Sequence, residues 1–393
     1  MKFGIYIHIP YCVQRCPYCD FTTFEQSQII SPENYTELIL REIQLMHNHV
    51  PLKEVNSIFW GGGTPSLFDP KLLADILEAL KNVGFHFAKN FEMTLEINPK
   101  TISINSFNDY LKMGFNRFSV GAQSFNDQHL KTCGRIHSSE DTMNTIELLK
   151  SHNTNFSLDL LYALPRQSMD DLKQDLRIID SFSPPHVSTY CLTVPKSNPL
   201  AQNRPEEKVQ ILMAQEITQS LERAGLYQYE ISNHAKPGYQ SVHNQIYWSN
   251  DSYWGLGLSA HSYFNHSIVK PFGGRFWNIK NIEKYEKLIS ITPQGDWDLT
   301  HNLAFKHQGF ELLKSWESLT DYCHMHLRTE LGLSQTLLNQ LYPDYQADLE
   351  SRFRLLEQKG YIYHNQDAIK LSLQGKNLFN EVLRDLTFGA PQP

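Results

Sequence analysis

Three cysteines near the N-terminus are the residues best suited to chemistry. Cys12, Cys16 and Cys19 form a Cys-x3-Cys-x2-Cys loop, whereas the other three of the six cysteines stand alone in the sequence. Three thiols this close together cannot all be buried independently, so we expect them to converge on a metal. Structural zinc normally takes four protein ligands, and no fourth Cys or His lies at finger or ribbon spacing. A [4Fe–4S] cluster held by three thiolates leaves one iron open to a small molecule, and the spacing favours this interpretation over zinc.

Further polar or glycine-rich residues follow the other predicted strands. The run Gly61–Pro65 lacks side-chain bulk, so a ligand can approach its backbone closely. Later strands are followed by Glu96, Gln123, Arg135 and Asp159. Each has an ordinary alternative: a tight turn for the glycines, a structural ion pair for Glu96, and simple surface exposure for the other three. Their shared position after strands predicts one binding site.

Six strand-then-helix units are predicted to position these residues. An alternating apolar strand at Phe3–Ile9 precedes a helix with Ser31 as N-cap and Pro32 at its first position. The other units are Val55–Trp60 with Pro70–Val83, Phe91–Ile97 with Ser103–Met113, Asn116–Val120 with Ser139–His152, Phe156–Leu161 with Ser168–Phe182, and His186–Thr193 with Pro205–Ala224. Parallel strands need such crossovers, so an α/β fold is expected, either doubly wound or a barrel. The polar strand ends favour a barrel, and six units predict an open, partial (β/α)6 barrel over residues 1–225.

The regular alternation stops after about residue 225. Residues 226–299 are rich in Gly, Asn and aromatic side chains and are expected to connect the barrel to a further domain. Residues 300–393 become mostly helical, with predicted helices at Ser334–Leu341 and Ala347–Lys359 followed by short strands near Tyr361–His364 and Ala368–Leu371. This order is typical of a winged helix, and it predicts a C-terminal helical domain.

Charge excludes several classes of partner. The formal net charge is −7, and residues 300–393 carry eleven Asp and Glu against nine Lys and Arg. The net charge of residues 300–393 is therefore negative, which is unfavourable for contacts with phosphates. No nucleic-acid partner is expected for the winged-helix-like domain. The sequence also lacks a basic, apolar leader and any run of about 18 apolar residues, which predicts a cytoplasmic protein.

Four motifs resemble those of a known family. They are Tyr6-Ile7-His8-Ile9-Pro10 before the cysteines, Gly-Gly-Gly-Thr-Pro-Ser from residue 61, Val-Gly-Ala-Gln-Ser-Phe from residue 120, and Leu-Asp-Leu-Leu-Tyr-Ala-Leu-Pro from residue 158. The cysteine loop after a first strand resembles the radical S-adenosylmethionine (SAM) superfamily. Together with the other motifs, it is similar to the oxygen-independent coproporphyrinogen III oxidase group over nearly the whole chain.

This group has two branches, the oxidase proper and the HemW haem chaperones, and three departures favour the second. The oxidase has a further cysteine where this sequence has Phe21, and an N-terminal extension where only eleven residues precede Cys12. In addition, His243-Asn244-Gln245-Ile246-Tyr247-Trp248 matches the His-Asn-x-x-Tyr-Trp motif of the HemW branch. The resemblance therefore implies a haem chaperone. The alternative is the oxidase, which performs a radical SAM oxidative decarboxylation in porphyrin biosynthesis.

The resemblance also implies the cofactors, their ligands and the partners. A [4Fe–4S] cluster on the three cysteines binds SAM through its open iron, and haem is the cargo. The implied SAM contacts are Tyr6, Gly62, Gly63, Thr64, Glu96, Gln123, Arg135 and Asp159. In the oxidase, several of these residues contact a second SAM molecule, and this alternative role stays open for Gln123, Arg135 and Asp159. The expected partners are haem-accepting respiratory proteins and an electron donor such as flavodoxin or ferredoxin, with peripheral membrane contact only through the acceptor. Decarboxylase activity is expected to be absent.

Two histidines are candidates for the haem ligand. Imidazole is a natural axial ligand of haem iron, and His243 and His261 both lie in the aromatic-rich segment. His243 belongs to the branch-specific motif, so it is the first candidate, with structural support of that segment as the alternative. His261 is the second candidate.

Overall fold

A computed structural model describes residues 1–291 and 309–390 of the chain. The strands are β1 (Phe3–Ile9), β2 (Tyr11–Cys12), β3 (Phe24–Glu25), β4 (Glu54–Gly62), β5 (His86–Ile97), β6 (Arg117–Gln123), β7 (Asn155–Tyr162), β8 (His186–Cys191), β9 (Tyr227–Glu230), β10 (Asn233–Ala235), β11 (Ser252–Leu256), β12 (His261–Phe264), β13 (Gly274–Trp277), β14 (Gly309–Leu312), β15 (Leu333–Ser334), β16 (Ile362–Asn365) and β17 (Ala368–Leu371). The helices are α1 (Pro32–Met46), α2 (Pro70–Asn82), α3 (Ile104–Met113), α4 (Asp127–Thr132), α5 (Ser139–Ser151), α6 (Met169–Phe182), α7 (Glu207–Arg223), α8 (Val242–Trp248), α9 (Ile282–Ile291), α10 (Ser315–Leu327), α11 (Gln335–Leu341), α12 (Gln346–Gln358), α13 (Leu373–Asn377) and α14 (Phe379–Asp385).

The first 225 residues form the predicted parallel sheet. Strands β1, β4, β5, β6, β7 and β8 are neighbours in that order, and every adjacent pair among them is parallel. The sheet has free ends at β14 and β9 among the described residues, so it is an open sheet and not a closed barrel. The predicted fold class, a partial (β/α)6 barrel with a winged-helix-like C-terminal module, is confirmed.

The helices of these units begin where the sequence indicates. Ser31 caps α1 by accepting a hydrogen bond from the Asn34 backbone, and Pro32 occupies the first helical position. Ser103, Ser138 and Ser168 each form a reciprocal capping box with the residue three positions later. These caps satisfy backbone N–H groups that have no partner inside the helix. The starts of four helices are therefore determined locally.

The segment after residue 225 adds strands to both edges of the sheet. β10 and β9 extend it antiparallel beyond β8, while β11 pairs parallel with β1 on the opposite side. β12, β13 and β14 continue from β11 as an antiparallel meander. The sequence did not indicate these strands, because runs of three to five residues give little periodicity. The domain boundary predicted between residues 225 and 226 stays a prediction. The boundary predicted between residues 299 and 300 lies outside the described residues.

The C-terminal module has its own apolar core. β15, β17 and β16 form a three-stranded antiparallel sheet that packs against α10 to α14, in the order expected for a winged helix. Arg328, at the end of α10, forms a 3.1 Å ion pair with the buried Glu230 of β9. The backbone of Ile231 also donates to the Arg328 carbonyl at 3.0 Å. The module is thus attached to the edge of the large sheet.

The buried carboxylate of Glu42 fastens the later strands to the barrel. Glu42 lies on α1 and accepts hydrogen bonds from the Gly257 backbone at 2.9 Å, Asn278 Nδ2 at 2.6 Å and the Tyr285 hydroxyl at 2.5 Å. These donors lie after β11, after β13 and on α9. One side chain therefore joins three segments that follow residue 225, and burial raises its pKa above the ordinary value.

We predict that Glu42→Ala lowers the free energy of unfolding by about 3 kcal/mol, because it leaves buried donors without an acceptor. Glu37→Ala is the matched control, since Glu37 is exposed on the same helix. Urea unfolding followed by circular dichroism measures both variants. Equal stability of the two variants would show that the Glu42 network is dispensable.

Candidate cluster and cofactor site

The cysteine loop connects β1 with α1, and its two ends lie side by side. Its two ends are joined because β2 and β3 pair in parallel, placing Cys12 opposite Glu25. Inside the loop, the Cys19 backbone donates to the Cys16 carbonyl at 3.0 Å, which forms a tight turn. His8 Nε2 lies 2.8 Å from the Thr22 carbonyl and so holds the end of the loop against β1. The three thiols are free and partly exposed.

Polar groups from other segments approach two of the thiols. Thr64 Oγ1 lies 3.9 Å from Cys12 Sγ, and Arg135 Nη1 lies 3.7 Å from Cys16 Sγ. Burial raises the pKa of Cys12, and the hydrogen bond from Thr64 acts in the opposite direction, toward the thiolate form that binds metal. Within the described residues, no three His, Cys, Asp or Glu side chains are grouped closely enough to hold a single metal ion. A [4Fe–4S] cluster instead binds each thiolate to a different iron.

Backbone contacts of the glycine run fix the start of the loop. The Gly63 N–H donates to the Ile9 carbonyl at 2.8 Å, and the Thr64 N–H donates to the Tyr11 carbonyl at 2.7 Å. A Cβ added to Gly63 would lie 2.5 Å from the Tyr11 carbonyl oxygen. Gly62 has φ +112°, and its Cβ would meet the His8 ring at 2.6 Å. Glycine is required at both positions by close approach and, at Gly62, also by conformation.

A cavity of about 430 Å³ brings the cysteines together with most of the predicted SAM contacts. Its lining includes Cys12, Cys16, Cys19, Gly62, Gly63, Thr64, Glu96, Gln123, Arg135 and Asp159. We call it the cluster cavity. Tyr6 and His243 do not line it. Two further lining residues, Asn98 and Tyr190, were not predicted, although Asn98 lies in the same strand-end motif as Glu96.

Two buried carboxyls, those of Glu96 and Asp159, line the cluster cavity. Glu96 accepts a 3.1 Å hydrogen bond from the Gly62 backbone, and Asp159 accepts from Ser119 Oγ at 3.3 Å. Burial, reinforced by the Asp159 charge, raises the pKa of Glu96 to about 8. Burial also raises the pKa of Asp159 to about 6. Two carboxyls that repel one another in a cavity are suited to a cationic ligand.

Arg135 and Gln123 also line the cluster cavity. Arg135 Nη2 donates to the Asn98 side chain and, at 3.1 Å, to the Gly121 carbonyl. Gln123, at the end of β6, has φ +65°, a left-handed conformation that is uncommon for residues other than glycine. Backbone strain of this kind clusters at functional sites. The surrounding strands must therefore hold Gln123 in an unfavourable backbone conformation, and this conformation determines the direction of its side chain.

A second cavity, of about 740 Å³, adjoins the first. Its walls carry Tyr6, Phe59, His243, Tyr247, Trp248, Tyr253, His261 and Tyr263, and we call it the aromatic cavity. Glu96, Phe21 and Tyr190 line both cavities. Phe21 is 61% exposed and lies two residues after Cys19. The end of the cysteine loop therefore separates the cluster cavity from the aromatic cavity.

Both ring nitrogens of His243 are already occupied. Nδ1 lies 2.8 Å from Ser57 Oγ, and Nε2 lies 2.8 Å from the Tyr247 hydroxyl. The ring is stacked on Phe59, and burial lowers the pKa of His243 to about 3, so the imidazole is neutral. An iron ligand at this position would have to give up one of these hydrogen bonds. The geometry supports the packing role, and haem ligation by His243 stays a prediction.

Glu92 positions the helix that carries His243. Its carboxylate accepts from the backbone N–H groups of Val242 and His243, each at 3.0 Å, at the start of α8. Arg117 Nε lies 4.0 Å from Oε2 of this carboxylate and balances its negative charge. Charged acceptors at a helix N-terminus are stabilising because they meet both unpaired N–H groups and the helix dipole. β5 thereby fixes where the His-Asn-x-x-Tyr-Trp motif meets the aromatic cavity.

Comparison with known proteins shows the superfamily and the fold to which this chain is similar. The sequence profile of the Radical SAM superfamily matches residues 6–179. Over its full length the fold resembles the coproporphyrinogen III oxidase HemN from Escherichia coli, a radical SAM enzyme, with a TM-score of 0.81, 19% identity and coverage of 98% of this chain and 90% of that one. An open parallel sheet with three cysteines after β1 thus defines a radical SAM protein.

Sequence relatives narrow the class further. The haem chaperone HemW of Buchnera aphidicola subsp. Schizaphis graminum is 31% identical over 389 residues, covering 97% of both chains. That of Haemophilus influenzae is 32% identical over 394 residues, covering 97% of this chain and 96% of the relative. The chain belongs to the HemW family. Among the described residues, no helix has the length and apolar character needed to cross a membrane.

We predict that Gly63→Ala prevents assembly of the metal site, because the new methyl group displaces the Tyr11 carbonyl and with it the start of the cysteine loop. Anaerobic reconstitution of the unsubstituted protein should give about four iron and four sulfide per chain. The variant should retain little of either, as should Cys16→Ala. Gly389→Ala is the control, since its Cβ would meet nothing within 4 Å. Full iron content in Gly63→Ala would contradict this role of the glycine.

Proposed function

We propose that this protein is a cytoplasmic haem chaperone that carries a [4Fe–4S] cluster on Cys12, Cys16 and Cys19 and binds SAM beside it. The similarity to HemW proteins over nearly the whole chain supports the proposal. The observation that carries it is the position of α8: this helix, with the branch-specific motif, lines an aromatic cavity that adjoins the cluster cavity. Haem and cluster would therefore occupy neighbouring sites.

The residues present fit such a cluster. Three free thiols line one cavity, and Thr64 and Arg135 supply polar groups within reach of two of the sulfurs. When bound, a cluster with one open iron supplies a chelation point for SAM and an electron for its sulfonium group. The protein's own contribution is to shape the cavity and to set its charge.

The predicted SAM contacts divide by chemistry. The backbone of Gly62–Thr64 leaves room for close approach of a ligand, and Glu96 and Asp159 offer negative charge to an ammonium or sulfonium group. Arg135 and Gln123 line the same cavity and provide hydrogen-bond donors. Tyr6 lines the aromatic cavity, and its hydroxyl lies 3.0 Å from His8 Nδ1, so its contact with SAM would require an approach from that side.

The partners follow from the family. We propose that the chaperone delivers haem to respiratory haem proteins and that flavodoxin or ferredoxin reduces the cluster. Contact with the membrane would then occur only through the acceptor. The alternative is the oxidase reaction, in which propionate side chains of coproporphyrinogen III are oxidatively decarboxylated, releasing CO2 and leaving vinyl groups. Against it, Phe21 stands where the oxidase carries a cysteine.

The affinity for SAM should rise with pH because of Glu96. Its pKa of about 8 in the empty cavity means that it is largely protonated at pH 7. A cationic ligand favours the carboxylate, so binding below pH 8 must release a proton, and affinity gains up to about tenfold per pH unit until Glu96 ionises. Glu96→Gln should lose this part of the dependence. Equilibrium dialysis of SAM between pH 6 and pH 9 compares the two proteins, and parallel profiles would exclude Glu96 from the site.

Haem transfer and porphyrin chemistry separate the two functions. The purified protein should retain haem on a desalting column and pass it to an apo-haem protein, measured by the acceptor's absorbance. With SAM, reductant and coproporphyrinogen III, it should form no vinyl groups, and it should not rescue an oxidase-deficient strain grown without oxygen. Formation of protoporphyrinogen would assign the chain to the oxidase reaction instead. Failure to retain haem would overturn the chaperone proposal.

A further inference from the structure

One wall of the aromatic cavity is formed by two paired strands, β12 and β13. His261 and Tyr263 alternate along β12, so their side chains share the face that lines the cavity. Their direct partners on β13 are Trp277 and Arg275. The His261 ring is stacked on Trp277, with 5.7 Å between ring centroids and 17° between the planes. The indole therefore fixes the plane of an imidazole that faces the cavity.

His261 differs from His243 in its access to the cavity. His243 is buried, with both nitrogens occupied, whereas His261 is exposed. Within residues 1–291 and 309–390, no hydrogen bond is recorded for the His261 ring. A neutral imidazole without a competing partner can offer its nitrogen lone pair to a metal. Of the two candidate histidines, His261 is the one that can bind iron without first breaking a hydrogen bond.

A cation stands beside His261. Lys280 follows β13, is exposed and lines the same cavity. Arg275 also lines it but is engaged with Asp321 and Glu311. Burial and the charges of Lys280 and Arg275 lower the pKa of His261, which favours the neutral ring. Anionic groups of a ligand held in the cavity would therefore find Lys280 near the iron-binding imidazole.

The remaining walls suit a flat, apolar ring system. Tyr6, Phe59 and Tyr247 face the cavity from β1, β4 and α8. Aromatic faces can stack on a macrocycle.

We propose that the aromatic cavity is the haem site, with His261 as the axial ligand of the iron and Lys280 as the partner of a propionate. This assignment rests on the proposed chaperone function and specifies where that function resides. The iron–imidazole bond is a coordinate bond, so no oxidant or reductant is consumed in forming it. Haem at this position would be separated from the cluster cavity by Phe21, Glu96 and Tyr190.

The test is the haem spectrum and affinity of His261→Ala in the cluster-loaded protein. Removing the coordinate bond should weaken haem binding at least about tenfold and shift the Soret maximum, measured against the haem-free protein. Added imidazole should restore the Soret maximum, because it can occupy the space left by the side chain. His364→Ala is the matched control, since His364 is exposed on β16. Iron and sulfide contents should stay unchanged in both variants.

A second variant tests the propionate contact. Lys280→Ala should weaken binding of haem but not of haem dimethyl ester, which lacks the two negative charges. Equal loss for haem and its ester would overturn the role of Lys280. The ligand assignment fails if His261→Ala keeps the original spectrum, or if its loss of haem is not reversed by imidazole. Wild-type protein that binds no haem would instead contradict the chaperone function itself.

Discussion

The backbone of residues 62–64 lies directly against the end of β1, and the two N–H groups of Gly63 and Thr64 bind the carbonyls of Ile9 and Tyr11. This contact determines where the cysteine loop begins. Because parallel strands all end at one edge of the sheet, the same contact also places the loop opposite Glu96, Arg135 and the later strand ends. A side chain at Gly63 would separate the two segments. The cluster cavity depends on this absence of bulk.

A chain of hydrogen bonds then connects the cysteine loop to the aromatic cavity. The Tyr6 hydroxyl contacts His8, His8 holds the Thr22 carbonyl, and Thr22 Oγ1 donates to Ser259 at 3.0 Å. Ser259 lies two residues before His261. The residues that end the cluster loop are therefore also a wall of the second cavity. Two ligands in these cavities would be separated by the end of the cysteine loop.

The buried carboxylates show which charges are structural. Glu42 and Glu92 are each surrounded by donors from several segments, so they serve to join elements. Glu96 and Asp159 line the same cavity, where burial raises the pKa of both and the Asp159 charge raises that of Glu96 further. Charges that a fold leaves uncompensated in a cavity are the ones that a ligand can satisfy.

The sequence by itself determined the six strand-and-helix units, their serine caps and the cysteine loop, because periodicity, capping and motif spacing are local properties. It also placed Glu96, Gln123 and Asp159 at one edge, since parallel strands share an end, whereas Arg135 follows the short helix α4. Only the tertiary structure decided that Tyr6 and His243 line a different cavity, because the strands after residue 225 return to pair beside β1. It likewise distinguished two histidines of similar sequence context, for the burial and hydrogen bonds of an imidazole depend on residues distant in the chain, such as Ser57.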